Sequence, residues 1–161
     1  LEPSRKRGVN RVVWDLRYEK LPDPAGEEPD ESGEKPEGPS GPWVAPGRYQ
    51  VRLTLGGRSY ARDFEVREDP RIEVEPEARR KWTETLLALA EMYRESNSWV
   101  EAALAAEAER DDAQKTRNRE LRELRRRIAN LYGEILAWTG ELTSDQREQI
   151  RFLKEARIRL Q

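Results

Sequence analysis

From residue 76 onward, apolar side chains return every three or four positions: Trp82, Leu86, Leu89, Tyr93, Val100 and Leu104, then Leu121, Leu124, Ile128, Leu131, Ile135 and Trp138. Such spacing marks helices that bury one stripe and wet the rest. The stripes can leave water only by lying against one another. The first helix is expected from about Pro76, a residue suited to a first helical turn, to about Arg110, with a break in the stripe at Ser96. Asp111 and Asp112 supply a turn and a cap for the second helix, and Gly140 fits its end. Thr143-Ser144-Asp145-Gln146 has the form of a capping box opening a third helix, with Ile150, Leu153 and Leu160 inward. Residues 72–161 therefore read as an antiparallel three-helix, coiled-coil-like bundle.

Charge is high and core is scarce. Of 161 residues, 39% are charged and 35% hydrophobic, which suits an elongated helical rod better than a thick globule. The net charge of -2 conceals a segregation: residues 21–42 hold seven carboxylates against Lys35, and residues 115–127 hold seven basic residues against Glu120 and Glu123. At 100° per residue, Lys115, Arg119, Arg122 and Arg126 fall opposite Leu121, Leu124, Ile128 and Leu131, so the basic face is the one solvated in any case. With acids interspersed and charge balanced, nucleic acid is not an expected partner. The acidic stretch lacks the spaced ligands of a calcium loop, and no metal or cofactor is expected. Cysteine and histidine are absent, which excludes disulfides, thiolate chemistry, Cys/His zinc sites and an imidazole base. No run is long and apolar enough to span a membrane. The chain opens at Leu1 rather than Met and reads as a piece of something longer.

In the first half the period changes. Val12, Trp14, Leu16 and Tyr18 alternate, predicting a half-buried strand over residues 8–18. Residues 20–46 are rich in Pro, Gly, Glu and Asp and read as an insertion, ordered at its ends and mobile in its middle, with Trp43 and Val44 marking its return. After Pro46-Gly47, Tyr49, Val51, Leu53 and Leu55 alternate with polar residues, Gly56-Gly57 forms a two-residue hairpin turn, and Tyr60, Phe64 and Val66 line the return strand with Arg62 as the one violation. Asp69-Pro70-Arg71 ends the sheet. Three antiparallel strands make an incomplete sandwich whose open edge should favour a homodimer. Of the five tryptophans, Trp14, Trp82 and Trp138 are expected in the core. The candidate surface contacts are Trp43, Tyr49, Trp99, Arg119, Arg122 and Arg126; Trp43 with Tyr49 would suit stacking on a sugar. Asp15, Asp63 and Asp69 neighbour Arg17, Arg62 and Arg71 and read as surface ion pairs, so no catalytic residue is assigned.

Three motifs carry a resemblance: the segment from Gly8 through Asn10, Trp14, Asp15 and Arg17; Pro46-Gly47-Arg48-Tyr49-Gln50-Val51-Arg52-Leu53; and Asp69-Pro70-Arg71. The chain resembles the C-terminal region of bacterial BNR-repeat, sortilin-like or "glycosyl hydrolase" β-propeller proteins, and its first pair of motifs is similar to the immunoglobulin-like module of flagellar hook-capping proteins. The resemblance implies an α+β chain: a partial immunoglobulin-like module over residues 1–71, with the acidic insertion at 20–46, followed by the bundle. It also implies an upstream propeller of the parent chain, or another protein, as partner, and an extracytoplasmic setting. Any catalytic groups would lie in that propeller. The expected role is thus a non-catalytic accessory region, with a carbohydrate-binding module, or part of a glycoside hydrolase whose catalytic domain lies elsewhere, as alternatives.

Overall fold

A computed structural model describes residues 7–29, 31–106, 111–138 and 140–161. It is an α+β structure with a two-stranded antiparallel sheet, β1 (Gly47–Leu55) and β2 (Arg58–Val66), followed by three helices, α1 (Pro76–Ala105), α2 (Asp112–Leu136) and α3 (Ser144–Leu160). Two of the helices begin where side chains satisfy free backbone N–H groups, and the first begins on a proline, which has no N–H to satisfy. Pro76 opens α1, the Asp111 carboxylate accepts from the Gln114 amide, and Thr143 and Gln146 bond each other's backbone in a full capping box. The last turn expected for the first helix, up to Arg110, lies outside the described residues.

The core is the α1–α2 interface. Trp82, Leu86, Leu89, Tyr93 and Val100 meet Leu121, Leu124, Ile128, Leu131, Tyr132 and Ile135, and α3 adds Leu153, Ala156 and Leu160. Each buried Leu, Ile or Val among them contributes roughly 1.5–3 kcal/mol by leaving water. The Trp82 indole N–H donates to the Ile135 and Trp138 carbonyls, so the start of α1 lies beside the end of α2; Arg117 reaches the Leu160 carbonyl, so α3 runs back along α2. Trp138 itself departs from expectation. The helix stops at Leu136, the stripe loses its phase in the following turn, and the Trp138 side chain is exposed.

Two expectations for the first half are overturned. Residues 8–18 form no strand; only Arg17 makes an isolated bridge, to Trp43. Local bonds compete with a ladder here: the Asp15 carboxylate accepts from the Arg17 amide, the Trp14 indole donates to the Arg17 carbonyl, and Leu16 takes a left-handed φ of 61°. Val12, Leu16 and Tyr18 are accordingly exposed, and the sheet has two strands rather than three.

The insertion, expected to be ordered at its ends and mobile in its middle, lays its two ends on the helices as a strap. Its two legs run antiparallel through Tyr18 N–H to Pro42 O, Leu21 N–H to Pro39 O and Val44 N–H to Leu16 O, each 2.9 Å. Gly38 and Gly41 permit this, because a β-carbon at either would sit 2.0–2.3 Å from a carbonyl oxygen of the opposite leg. Leu21 is 1% exposed among the helical core residues, and Tyr132 of α2 donates to the Ser40 carbonyl at 2.7 Å.

Burial of Tyr132 pushes its hydroxyl up to about 12, with Arg17 and Arg94 acting in the opposite sense. In the unfolded chain the same group titrates near ~10. The folded state therefore holds this proton more tightly, and the stability so contributed is complete below the unfolded value and is lost as pH rises from there through about 12. Urea midpoints measured between neutral and strongly alkaline pH should fall over that window, and Tyr132→Phe should flatten the fall. An identical alkaline slope in the two proteins would contradict the docked strap.

Candidate interaction surface

The hairpin's geometry follows from its turn. Gly56 and Gly57 take φ of 55° and 76°, closing a two-residue loop in which Leu55 pairs with Arg58. The register then fixes which side chains share a face, since directly opposed residues point the same way. One face carries Tyr49 with Phe64, Val51 with Arg62, Leu53 with Tyr60, and Leu55 with Arg58. The other carries Arg48, Gln50, Arg52 and Thr54 against Glu65, Asp63, Ala61 and Ser59, and it is satisfied internally: Gln50 donates to Asp63 at 3.0 Å and Thr54 bonds Ser59 at 3.1 Å.

Only the base of the apolar face is covered. Trp14 packs edge-on against Tyr49 and Phe64, with centroids 5.8 and 6.0 Å away, and Tyr49 and Phe64 stack at 6.0 Å. The Tyr49 hydroxyl donates to the Ala45 carbonyl at 2.6 Å, and burial pushes its pKa above the ordinary value. Beyond this cluster, Val51 and Leu53 are each 52% exposed, Tyr60 54% and Leu55 70%. Neither strand lays a face on a helix; the link to the bundle runs through Glu68, which pairs with Arg79 at 2.8 Å, while that guanidinium lies 4.3 Å above the Trp82 ring.

The candidate contact residues do not converge. Trp43 is exposed, with the Arg17 guanidinium 3.5 Å over its ring, while Tyr49 is enclosed in the aromatic cluster at the hairpin base. Trp99 is half-buried against the helical core. Arg119 and Arg126 are exposed, Arg126 pairs with Glu123, and Arg122 is half-buried. Asp15 caps its own turn, Asp69 pairs with Arg71 at 2.5 Å, and Asp63 belongs to the hairpin's polar face, so the three carboxylates serve separate local contacts.

One residue missed by sequence reasoning organises the strap. Arg125 is 2% exposed, and its guanidinium donates to the Ala25 carbonyl at 2.6 Å, to Asn97 Oδ1 at 3.1 Å and to the Glu27 carboxylate. Asn97 Oδ1 also accepts the Ala25 amide at 2.9 Å. Helical phase held the signal: Arg125 lies only about 40° from Leu121, inside the apolar stripe, whereas Arg119, Arg122 and Arg126 fall about 100–160° away.

An open groove of about 470 Å³ lies between α2 and α3, lined by Arg127, Glu134, Asp145, Glu148 and Phe152 among others. Among the described residues, no group of three or more Asp or Glu could hold a metal ion, and no helix is long and apolar enough to cross a membrane. No family model, no curated protein and no solved structure matches the chain.

Proposed function

We propose that this chain is a non-catalytic accessory region that works by protein contact, with β1 and β2 as the surviving hairpin of an incomplete immunoglobulin-like module and the helices as a coiled-coil-like support. The observation that carries the reading is the uncovered apolar face of Val51, Leu53, Leu55 and Tyr60. A two-stranded ribbon with one wet apolar face is marginal alone, and a contiguous exposed apolar patch marks a contact site. On the resemblance to BNR-repeat proteins, the partner is the propeller of the same parent or a protein docked beside it.

Leu53→Thr with Tyr60→Thr tests this directly. Because both side chains are already wet, the double variant should keep its helical circular dichroism and its melting temperature within a degree or two, since exposed substitutions change stability by about 0.5 kcal/mol or less. Binding to the separately produced propeller should be lost, together with the slowed amide exchange that the unmodified hairpin gains on mixing. Equal binding by the variant would place the contact elsewhere and refute the reading.

A carbohydrate-binding role draws on Trp43, a residue 39% exposed. Quenching of tryptophan fluorescence by a polysaccharide, abolished in Trp43→Ala, would favour it.

A further inference from the structure

The hairpin's apolar face carries its own charge code. Along β2 the row on that face reads Phe64, Arg62, Tyr60, Arg58, alternating aromatic and cationic side chains, while the facing row of β1 reads Tyr49, Val51, Leu53, Leu55. The hairpin's two carboxylates lie on the other face, where Asp63 accepts from Gln50 and Glu65 pairs with Arg67 at 2.7 Å. Among the described residues neither Arg58 nor Arg62 forms an ion pair; Arg62 donates only to the adjacent Ala61 carbonyl, at 3.3 Å.

Any protein that covers Val51, Leu53 and Tyr60 must also cover Arg62, which stands opposite Val51. Burying a guanidinium without a partner is strongly unfavourable, whereas a carboxylate can engage it through two hydrogen bonds. Resting on the docking reading above, we infer that the occupant of this face is an extended protein segment that alternates apolar side chains with carboxylates, two of them four residues apart. The spacing follows from β2: Arg58 and Arg62 are four positions apart, roughly 14 Å at about 3.4 Å per residue, and a facing strand repeats with the same period.

Two other occupants fit less well. A second copy would bring the same two arginines and no carboxylate to the face, leaving four guanidinium groups to be covered unpaired. An anionic lipid surface offers phosphates to Arg58 and Arg62 but no fixed alternation to match the two-residue period.

The test is a selection on the purified chain. A small displayed β-sheet protein, with one solvent-facing row randomised among Val, Leu, Tyr, Thr, Lys and Glu, is panned against the unmodified chain and against the Arg58→Glu, Arg62→Glu double variant. Binders of the unmodified chain should carry Glu at two positions four residues apart, lose affinity roughly tenfold or more for the charge-reversed variant, and be replaced by Lys-bearing sequences when that variant is the target. Apolar binders without acidic preference, still lost in Leu53→Thr with Tyr60→Thr, would overturn the charge assignment while leaving the docking face standing. Binders indifferent to Leu53→Thr with Tyr60→Thr would remove the docking face itself. Co-sedimentation with phosphatidylserine vesicles that disappears on charge reversal would reassign the arginines to lipid. A dimer by light scattering that dissociates in Leu53→Thr with Tyr60→Thr would reassign the face to a second copy.

Discussion

Trp82→Ala should lower the unfolding free energy by about 3–5 kcal/mol, the cost of emptying a fully buried aromatic site. The ring is 1% exposed at the start of α1, and it does more than fill space. Its indole N–H donates to the Ile135 carbonyl, which also accepts the Trp138 amide at 3.1 Å, and to the Trp138 carbonyl just past the end of α2. One side chain thereby ends α2, sets the entry of the chain toward α3, and supports the Arg79 guanidinium that holds Glu68 at the exit of the hairpin. Trp82→Phe separates these contributions. It keeps most of the apolar burial but removes the donor, so it should cost about 0.5–1.5 kcal/mol, the net contribution of a hydrogen bond, because the Ile135 carbonyl keeps the Trp138 amide. Urea unfolding followed by helical circular dichroism measures both. If the phenylalanine variant were as stable as the parent, the indole would be only a packing element and the end of α2 would be satisfied by other means.

How far the molecule could be read in advance differs sharply between its halves, for a physical reason. The helical period is set by side chains that must be buried, so Leu86, Leu89, Leu124 and Ile128 announced their own contacts, and Thr143 with Gln146 announced the start of α3. The glycine pair at 56–57 likewise fixed the hairpin, because few other residues adopt its backbone. The strap follows a different logic. Leu21 and Ala25 are its apolar contacts with the helical core, and apart from the Glu27 carboxylate its polar contacts with the helices are made by backbone, at Ala25 and Ser40, while the Pro39 and Pro42 carbonyls join its own legs; these are groups that every residue carries and that no composition distinguishes. The interruption at Ser96-Asn97 marks where it lands: the Asn97 side chain faces the strap because a leucine there could not receive the Ala25 amide. Residues 8–18 show the converse error. Alternation states that a segment could line a sheet, and a bend at Leu16 with bonds from Asp15 and Trp14 uses the same residues otherwise. The interaction surface was visible as a pattern, but its exposure was not, since an alternating strand looks the same whether or not something covers it.

Replacing Arg125 by alanine should detach the strap while leaving the helices folded, at a cost of about 2–4 kcal/mol. Breaking a buried charge pair by removing one partner commonly costs about 3–5 kcal/mol, but the abandoned carboxylate here can be hydrated, because Glu27 is 45% exposed. What remains is the loss of the Ala25 and Asn97 bonds and of a guanidinium that fills the space between strap and α2. Arg125→Met preserves much of that volume and brings no charge, so it divides the packing contribution from the bonding one. Arg125→Lys keeps the charge but cannot reach Ala25, Asn97 and Glu27 with one planar fork, and should recover only part of the loss. The diagnostic measurement is amide exchange at Leu21 and Ala25. The Ala25 amide is bonded to Asn97 of α1 only while the strap is docked, and the Leu21 amide to Pro39 on the strap's other leg, a two-stranded pairing that is marginal once it leaves the helices. In Arg125→Ala they should exchange far faster than amides in the middle of α2, because the opening is local rather than global. Uniformly faster exchange across strap and helices would mean that Arg125 holds the bundle itself. Unchanged exchange at Ala25 would mean that Leu21 and the Tyr132–Ser40 bond suffice to seat the strap, and the buried guanidinium would then need another explanation.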